Sequence, residues 1–281
     1  MKICGACEEE LPRESFSGKQ WKLRKSLRRC GECVTAGKGL ALFAKGRERS
    51  AGDECPICSR LLPHYNNESM LYTCCMKLVC NGCELEADKR GMDDKCPFCR
   101  TPPPDSDEAQ IARIQKRVKA NDPEGIYNLA ISYRDGRDGL EEDVPRAVEL
   151  FERAAELGSK DAHYDLATIF NEHTAGEGID KDMARALEHY EFAAKQGHVA
   201  ARHNLGIYEF DSGNSGLACK HWRISAKLGD ADSLNNIKGL YTKGLASKSD
   251  YADSLRGYHD AVEEMNSPER DEAKAYWADK T

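Results

Sequence analysis

Apolar positions in this chain follow two regimes, and the longer one lies beyond about residue 121. There they recur at helical spacing, and the recurrence itself repeats. The first helix of each predicted unit carries Asn128-Leu129-Ala130, Asp165-Leu166-Ala167, Asn204-Leu205-Gly206 and Asn236-Ile237-Lys238. The second carries an aromatic column, Phe151, Tyr190, Trp222 and Tyr258, at offsets of 39, 32 and 36 residues. Ala155, Ala194, Ala226 and Val262 follow four residues later, and Gly158, Gly197 and Gly229 end the first three units. Small residues let paired helices approach, the aromatic fills the space between units, and glycine supplies the helix stop. Ahead of the array, Ile111, Ile114 and Val118 predict a leading helix capped by Ser106, with Asp107 and Glu108 in its first turn. Thr101-Pro102-Pro103-Pro104-Asp105 is a stiff extended stop before it.

Upstream of the prolines the apolar pattern thins. Gln20, Leu23 and Leu27 share one face with Trp21 beside them, which predicts a short amphipathic helix. Lys19, Lys22, Arg24, Lys25, Arg28 and Arg29 make that segment basic. A nucleic acid or an acidic partner could read such a patch, but a solvated helix face is the commoner use of one.

The array's signature is Leu-Ala/Gly, then Asp-x-x-x-Ala, an aromatic, Ala-Ala and Gly. It resembles the Sel-one-like repeat, a relative of the tetratricopeptide repeat, with Asp143/Ala147 and Asp182/Ala186 the clearest instances. The resemblance implies an all-α helical-hairpin solenoid whose concave face takes a peptide or another protein. Lys238 breaks the small-residue position, as a capping repeat facing water would. Cys219 aligns with Val148 and Leu187 and reads as core. His163, His189, His198, His203 and His221 show no ligand spacing, and the array carries no phosphate loop, nucleophile elbow or paired carboxylates.

Candidate chemistry is concentrated in the cysteines. Twelve of thirteen lie in the first 99 residues, and ten form Cys-x-x-Cys pairs: Cys4/Cys7, Cys30/Cys33, Cys55/Cys58, Cys80/Cys83 and Cys96/Cys99. The other two are the adjacent Cys74 and Cys75. Two residues between cysteines let both thiolates of a tight turn face one metal, and two such turns complete a tetrahedral site. Twelve ligands make three structural zinc sites. A disulfide scaffold would need an oxidising compartment, and Met1-Lys2-Ile3-Cys4 leads into a knuckle rather than a secretory signal. Cys4, Cys7, Cys30 and Cys33 read as a small zinc ribbon carrying the basic helix, with the metal supplying folding free energy that so short a segment lacks.

That first segment, with Leu11-Pro12 and Phe16-Ser17 between its pairs, resembles the LIM-like zinc domain of heterochromatin adaptors, a protein-interaction module. The next eight ligands resemble a RING finger. By that resemblance, one site is Cys55, Cys58, Cys80 and Cys83, and the other is Cys74, Cys75, Cys96 and Cys99. The commonest RING pattern has a histidine where Lys77 stands, and Cys74 sits one position closer to Cys75 than an all-cysteine variant expects; His64 is the substitute ligand if one of the two is idle. A RING holds a ubiquitin-charged conjugating enzyme in position and has no nucleophile of its own. The resemblance assigns the enzyme contacts to Ile57, Pro97 and Arg100, with Leu85 adding to the groove.

Charge adds one distinction. The net −7 conceals a basic first fifty residues, with twelve Lys and Arg against six Asp and Glu, and an acidic remainder of about −11 beyond residue 104. This charge argues against general nucleic-acid binding, and a basic segment is the favoured partner of the solenoid. No apolar run reaches the roughly 18 residues of a membrane span, so a cytoplasmic or nuclear protein is expected. The expected architecture is a zinc knuckle with basic helix (1–49), a RING-like domain (53–101), a proline linker and leading helix (102–120), Sel-one-like repeats (121–265) and a tail (266–281). The leading functional expectation is a RING-type ubiquitin ligase with a substrate-holding solenoid; the rival is a non-enzymatic scaffold whose modules only bind partners.

Overall fold

Helices dominate wherever the sequence supplies a continuous apolar stripe, and short hairpins and turns replace them where cysteines are dense. The computed structural model describes residues 1–63, 68–171 and 180–279; His64 lies outside them. The elements begin with strands β1 (Lys2–Ile3) and β2 (Glu10–Leu11) and helices α1 (Gly18–Lys22), α2 (Gly31–Thr35) and α3 (Ala41–Ala44). Strands β3 (Ser69–Tyr72) and β4 (Lys77–Cys80) and helix α4 (Asn81–Lys89) follow. The remaining helices are α5 (Asp107–Lys119), α6 (Pro123–Asp135), α7 (Val144–Glu156), α8 (Lys160–Asn171), α9 (Met183–Lys195) and α10 (Val199–Asp211). The last four are α11 (Ser215–Lys227), α12 (Ala231–Thr242), α13 (Lys248–Met265) and α14 (Pro268–Ala278). Two compact units result, and neither is continuous in sequence: Met1–Arg49 with Leu187–Tyr258, and Ser50–Ala186 with His259–Thr281.

Local chemistry explains the helix pairs. Asp143 caps α7 by accepting from the Arg146 N–H at 2.9 Å, and Asp182 caps α9 by accepting from Ala184 and Arg185 at 3.0 and 3.1 Å. Ala147 and Ala186, four residues on, are fully buried. The Asp-x-x-x-Ala pattern is thus a helix cap followed by the first small residue of the packed face. Gly158, Gly197 and Gly229 sit at φ 93°, 85° and 98°, the left-handed turn that glycine adopts freely after a helix. Phe151, Tyr190 and Trp222 are buried with Ala155, Ala194 and Ala226. Tyr258 and Val262 are only half-buried, so the aromatic column fades at its fourth member. Cys219 is buried among Trp222, Ile237 and Leu240.

In the first unit, β1 and β2 pair antiparallel, with Lys2 opposite Leu11. Ser17 caps α1 by accepting from the Gln20 N–H. The expected amphipathic helix does not continue through Leu27: α1 ends at Leu23, which is extended at ψ 154°, and a single 3-10 turn covers Lys25–Leu27. Side chains take over the backbone partners that a longer helix would have used. The Gln20 amide oxygen accepts from the Arg29 N–H at 2.7 Å, and buried Arg28 donates to the carbonyls of Leu23 and Ile3. Arg24 pairs with Glu191 at 3.1 Å and with buried Glu209 at 2.6 Å. Two of the six basic residues are therefore internal, and Lys19, Lys22 and Lys25 form the solvated face.

The same unit contains a fully buried arginine. Arg202 on α10 donates to the carbonyls of Leu42, Lys45 and Ala194 at 2.5, 2.9 and 2.6 Å. Phe43 of α3 packs with Val199, Ile224 and Leu228, its ring 4.7 Å from that of buried His221. Burial and the neighbouring arginines Arg202 and Arg24 push the His221 imidazole well below its usual pKa, so it packs as a neutral ring.

In the second unit, β3 and β4 form a hairpin with Tyr72 opposite Lys77. Met76, at its turn, is buried with Ile111, Ile114, Ile126 and Phe151. Thr73 bonds Gln110 at 2.8 Å, and Lys160 pairs with Asp53 at 2.5 Å. The segment expected to be a tail forms helix α14, packed on α4. Among the described residues no helix is long and apolar enough to cross a membrane.

Arg202→Met should lower stability in urea by on the order of 3 kcal/mol, because the buried Leu42 and Ala194 carbonyls and the carbonyl of Lys45 lose a charged donor together. A loss below about 0.5 kcal/mol, the level of an ordinary surface substitution, would show that water replaces the guanidinium at no cost.

Candidate metal centres

Twelve thiols gather in three sets of four: Cys4, Cys7, Cys30, Cys33; Cys55, Cys58, Cys80, Cys83; and Cys74, Cys75, Cys96, Cys99. Within each set all sulfurs lie within 4.8 Å of one another. The second and third sets alternate along the chain, so each ties together loops that the other also restrains.

Local turns explain how the sulfurs converge. Three pairs are the same knuckle. The N–H of Glu8, Ser59 and Arg100 returns to the carbonyl of Cys4, Cys55 and Cys96, in each case at 2.8 Å. The N–H of those same three cysteines reaches the carbonyls of Glu9, Arg60 and Thr101 at 2.8–2.9 Å. Closing the knuckle places Glu8, Ser59 and Arg100 in the left-handed region, at φ 61°, 55° and 61°. Cys30 and Cys80 instead start helices α2 and α4, and the Cys30 sulfur accepts from the Cys33 N–H at 3.4 Å. Cys74 and Cys75 lie in the turn between β3 and β4. Neighbouring residues of a strand point to opposite faces, but in this turn, closed by Met76 at φ 52°, both sulfurs join one set. Each set therefore combines one knuckle with one helix start or hairpin turn.

The donor set fits a tetrahedral metal. Bonds of about 2.3 Å to sulfur place the ligands about 3.8 Å apart. Cys58 and Cys80 are separated by 3.8 Å, as are Cys75 and Cys96. Disulfides need about 2 Å, and all thirteen cysteines are free. Backbone N–H groups of Ala6 and Cys30 donate to the Cys4 sulfur at 3.5 and 3.3 Å.

Electrostatics within each set favour a cation. Burial opposes ionisation of Cys4, but N–H donors from Cys7, Cys30 and Ala6 outweigh it and bring its pKa down to about 6. Cys33, desolvated beside that thiolate, is pushed up to about 12. Hydrogen bonds from Cys80 and Cys83 lower Cys55 far below the usual thiol range, and contacts with Cys55 and Cys80 raise Cys83. Cys99 falls to about 6, because Thr101 and the neighbouring thiols overcome its desolvation; Cys75 rises to about 11 and Cys74 further, both chiefly through burial. In each set one thiol is lowered, Cys4, Cys55 or Cys99, while two others of the same set are raised. A dication reverses that rise, since a coordinating thiol is deprotonated outright.

The expected enzyme contacts divide. Ile57 is exposed and, with Pro97, lines a cavity of about 390 Å³ floored by Gly82 and Ala87 of α4. Arg100 is exposed in its left-handed turn. Leu85 is only 4% exposed, so it belongs to the interior and offers no surface to a partner. Ser267 and Glu269, at the start of α14, line the same cavity opposite the zinc-type loops. Residue-by-residue reading missed Arg270 of α14, which donates to Cys58 Sγ at 3.7 Å. Its sequence signal was Ser267-Pro268-Glu269, a cap, a first-turn proline and an acid at a helix start.

The family model described as the Sel1 repeat matches residues 123–159 and 160–198. These segments hold α6 with α7 and α8 with α9, and each closes at or just past Gly158 or Gly197. Among solved structures the chain is similar to a Sel1 repeat protein from Oxalobacter formigenes, at 24% identity over 56% of this chain and 64% of that one, with a TM-score of 0.47. It is similar to c5321, a protective antigen of uropathogenic Escherichia coli strains displaying an SLR fold, at 25% identity, 56% and 34% coverage and TM-score 0.46. A third is immunity protein Pa5087 from Pseudomonas aeruginosa, at 18% identity, 65% and 66% coverage and TM-score 0.39. The chain spans less than two thirds of the length of the first two. No curated protein matches it.

Metal and protons compete for the same sulfurs, so loading zinc near neutral pH should release protons and affinity should fall steeply as pH falls. Calorimetric titration in buffers of different ionisation enthalpy measures the proton count. Binding that strengthens on acidification would exclude thiolate ligation.

Proposed function

We propose that this chain is a two-part adaptor: a zinc-stabilised, RING-like module that docks a ubiquitin-conjugating enzyme, followed by a repeat solenoid that holds a protein partner. The observation that carries the reading is the alternation of the second and third thiol sets along the chain, the wiring that RING fingers use. Exposed Ile57 and half-buried Pro97 at one cavity, and the exposed cation Arg100 after the last ligand, are the contacts such an enzyme would use. Leu85 leaves that set because it is buried. The zinc ions would be structural and fully coordinated, and acceleration would come from holding a charged conjugating enzyme in a reactive arrangement. The Sel1 repeats support the partner-binding half, since stacked helical pairs commonly serve as binding surfaces.

A scaffold without transfer activity is favoured by a different observation. Ser267 and Glu269 line the cavity that the conjugating enzyme would need. Nucleic-acid binding loses support because Arg24 and Arg28 are committed inside their own unit.

An autoubiquitination assay against a panel of conjugating enzymes, with zinc counted on the same sample, tests the reading. Three zincs per chain are expected, one for each set. Ile57→Ala and Arg100→Glu should each reduce chain formation by about tenfold or more, the effect of losing an interface hot spot, without changing zinc content. Three zincs with no chains for any enzyme in the panel would leave the scaffold as the function.

A further inference from the structure

Helix α14 does more than cover α4. Ser267 caps it by accepting from the Arg270 N–H at 3.3 Å, which fixes the first turn against the module. Gly82 of α4 permits that approach, because a Cβ there would lie 2.8 Å from the Arg270 nitrogen. Lys89 of α4 pairs with Glu272 at 2.6 Å. Arg270 itself is 8% exposed and points into the loop that follows the Cys55/Cys58 knuckle. One guanidinium nitrogen donates to the Leu61 and Met265 carbonyls at 2.6 and 2.5 Å, and the other to the Arg60 carbonyl at 3.4 Å and to Cys58 Sγ at 3.7 Å.

A dication held by four thiolates keeps a net charge of about −2, and a partly desolvated site must offset it with donors or a neighbouring cation. Arg270 supplies both, and its planar fork reads two successive carbonyls and a sulfur at once. We propose that Arg270 is an outer-shell residue of the metal site formed by Cys55, Cys58, Cys80 and Cys83, and that α14 is part of that metal module. The inference rests on the metal reading above. It assigns to residues 267–272 a role that their distance in sequence from the cysteines conceals.

Full-length Arg270→Met and Arg270→Lys test it, by zinc release to a chromogenic chelator and by absorption of the cobalt-substituted chain. Losing an outer-shell partner typically weakens metal affinity by about 10- to 100-fold. Arg270→Met should therefore surrender one of its three ions that much more readily, with the other two at wild-type rates. The sulfur-to-cobalt charge-transfer band of one site should shift in Arg270→Met and be partly restored in Arg270→Lys, which keeps the charge but not the fork, and a purely packing role would not produce that order. Three ions leaving Arg270→Met at wild-type rates with an unchanged cobalt spectrum would overturn the assignment. So would simultaneous loss of all three with melting of the helices, which would make Arg270 a general fold residue. A wild-type chain that binds no zinc would instead remove the metal reading itself, and this inference with it.

Discussion

Small cysteine-rich modules are short of hydrogen-bond partners before they are short of anything else. Their loops turn too tightly for ladders, so many backbone carbonyls face inward with no N–H opposite. Here one helical arginine in each unit meets that need. Arg202 of α10 gathers the carbonyls of Leu42, Lys45 and Ala194, and Arg270 of α14 gathers those of Arg60, Leu61 and Met265. Both are nearly or fully buried. Arginine suits the task because its donors are fixed in a plane and its charge persists when desolvated, whereas buried lysine readily gives up its proton. The helices thereby become structural components of modules to which they do not belong by sequence.

The thiol sets depend on a second constraint. Four sulfurs within 4.8 Å oppose one another's ionisation, because each thiolate that forms disfavours the next, and Cys4 is accordingly lowered where Cys33 is raised. A bound dication converts that mutual resistance into the force that closes the module. Metal–ligand bonds would offset the cost of bringing distant loops together where the core beside the sulfurs is small: Phe16 with the partly buried Ala6, Leu11 and Trp21. The three knuckles repeat one backbone geometry with Glu8, Ser59 and Arg100 alike in the left-handed position, whereas the same two-residue spacing at Cys30/Cys33 and Cys80/Cys83 starts a helix instead.

Much of this was legible in the sequence because it is periodic. The repeat pattern carries its own caps, stops and core positions, and Asp143, Ala147 and Gly158 take the structural roles that a helix pair demands of such residues. The cysteine spacing likewise leaves few ways to form groups of four. Long-range, one-to-one contacts were not legible. Arg24 and Arg28 looked like surface charge because nothing local reveals Glu209 or the Ile3 carbonyl as their partners. The break at Leu23 was hidden for the same reason, since propensity favoured a helix and side-chain bonds from Gln20 and Arg28 ended it. Residues 266–281 read as a tail because a single helix without a repeat partner gives no periodic signal, although its cap was visible.

The bearing of α14 on function follows from where its first turn lies. A cavity lined by Ile57 and Pro97 together with Ser267 and Glu269 is not the surface that the cysteine loops alone would offer. Any protein that docks there must accommodate the first turn of α14 or move it. Moving it is costly, because Arg270 would have to release the loop carbonyls and Cys58 together, exposing a charge-balancing contact to water. Accommodation is the cheaper route, and it makes Glu269 and Glu86 part of the surface a partner meets. The selectivity of this module would then be set jointly by Ile57 and Pro97 of the cysteine loops and by an acidic edge that pairs Glu86 of α4 with Glu269 from far along the chain.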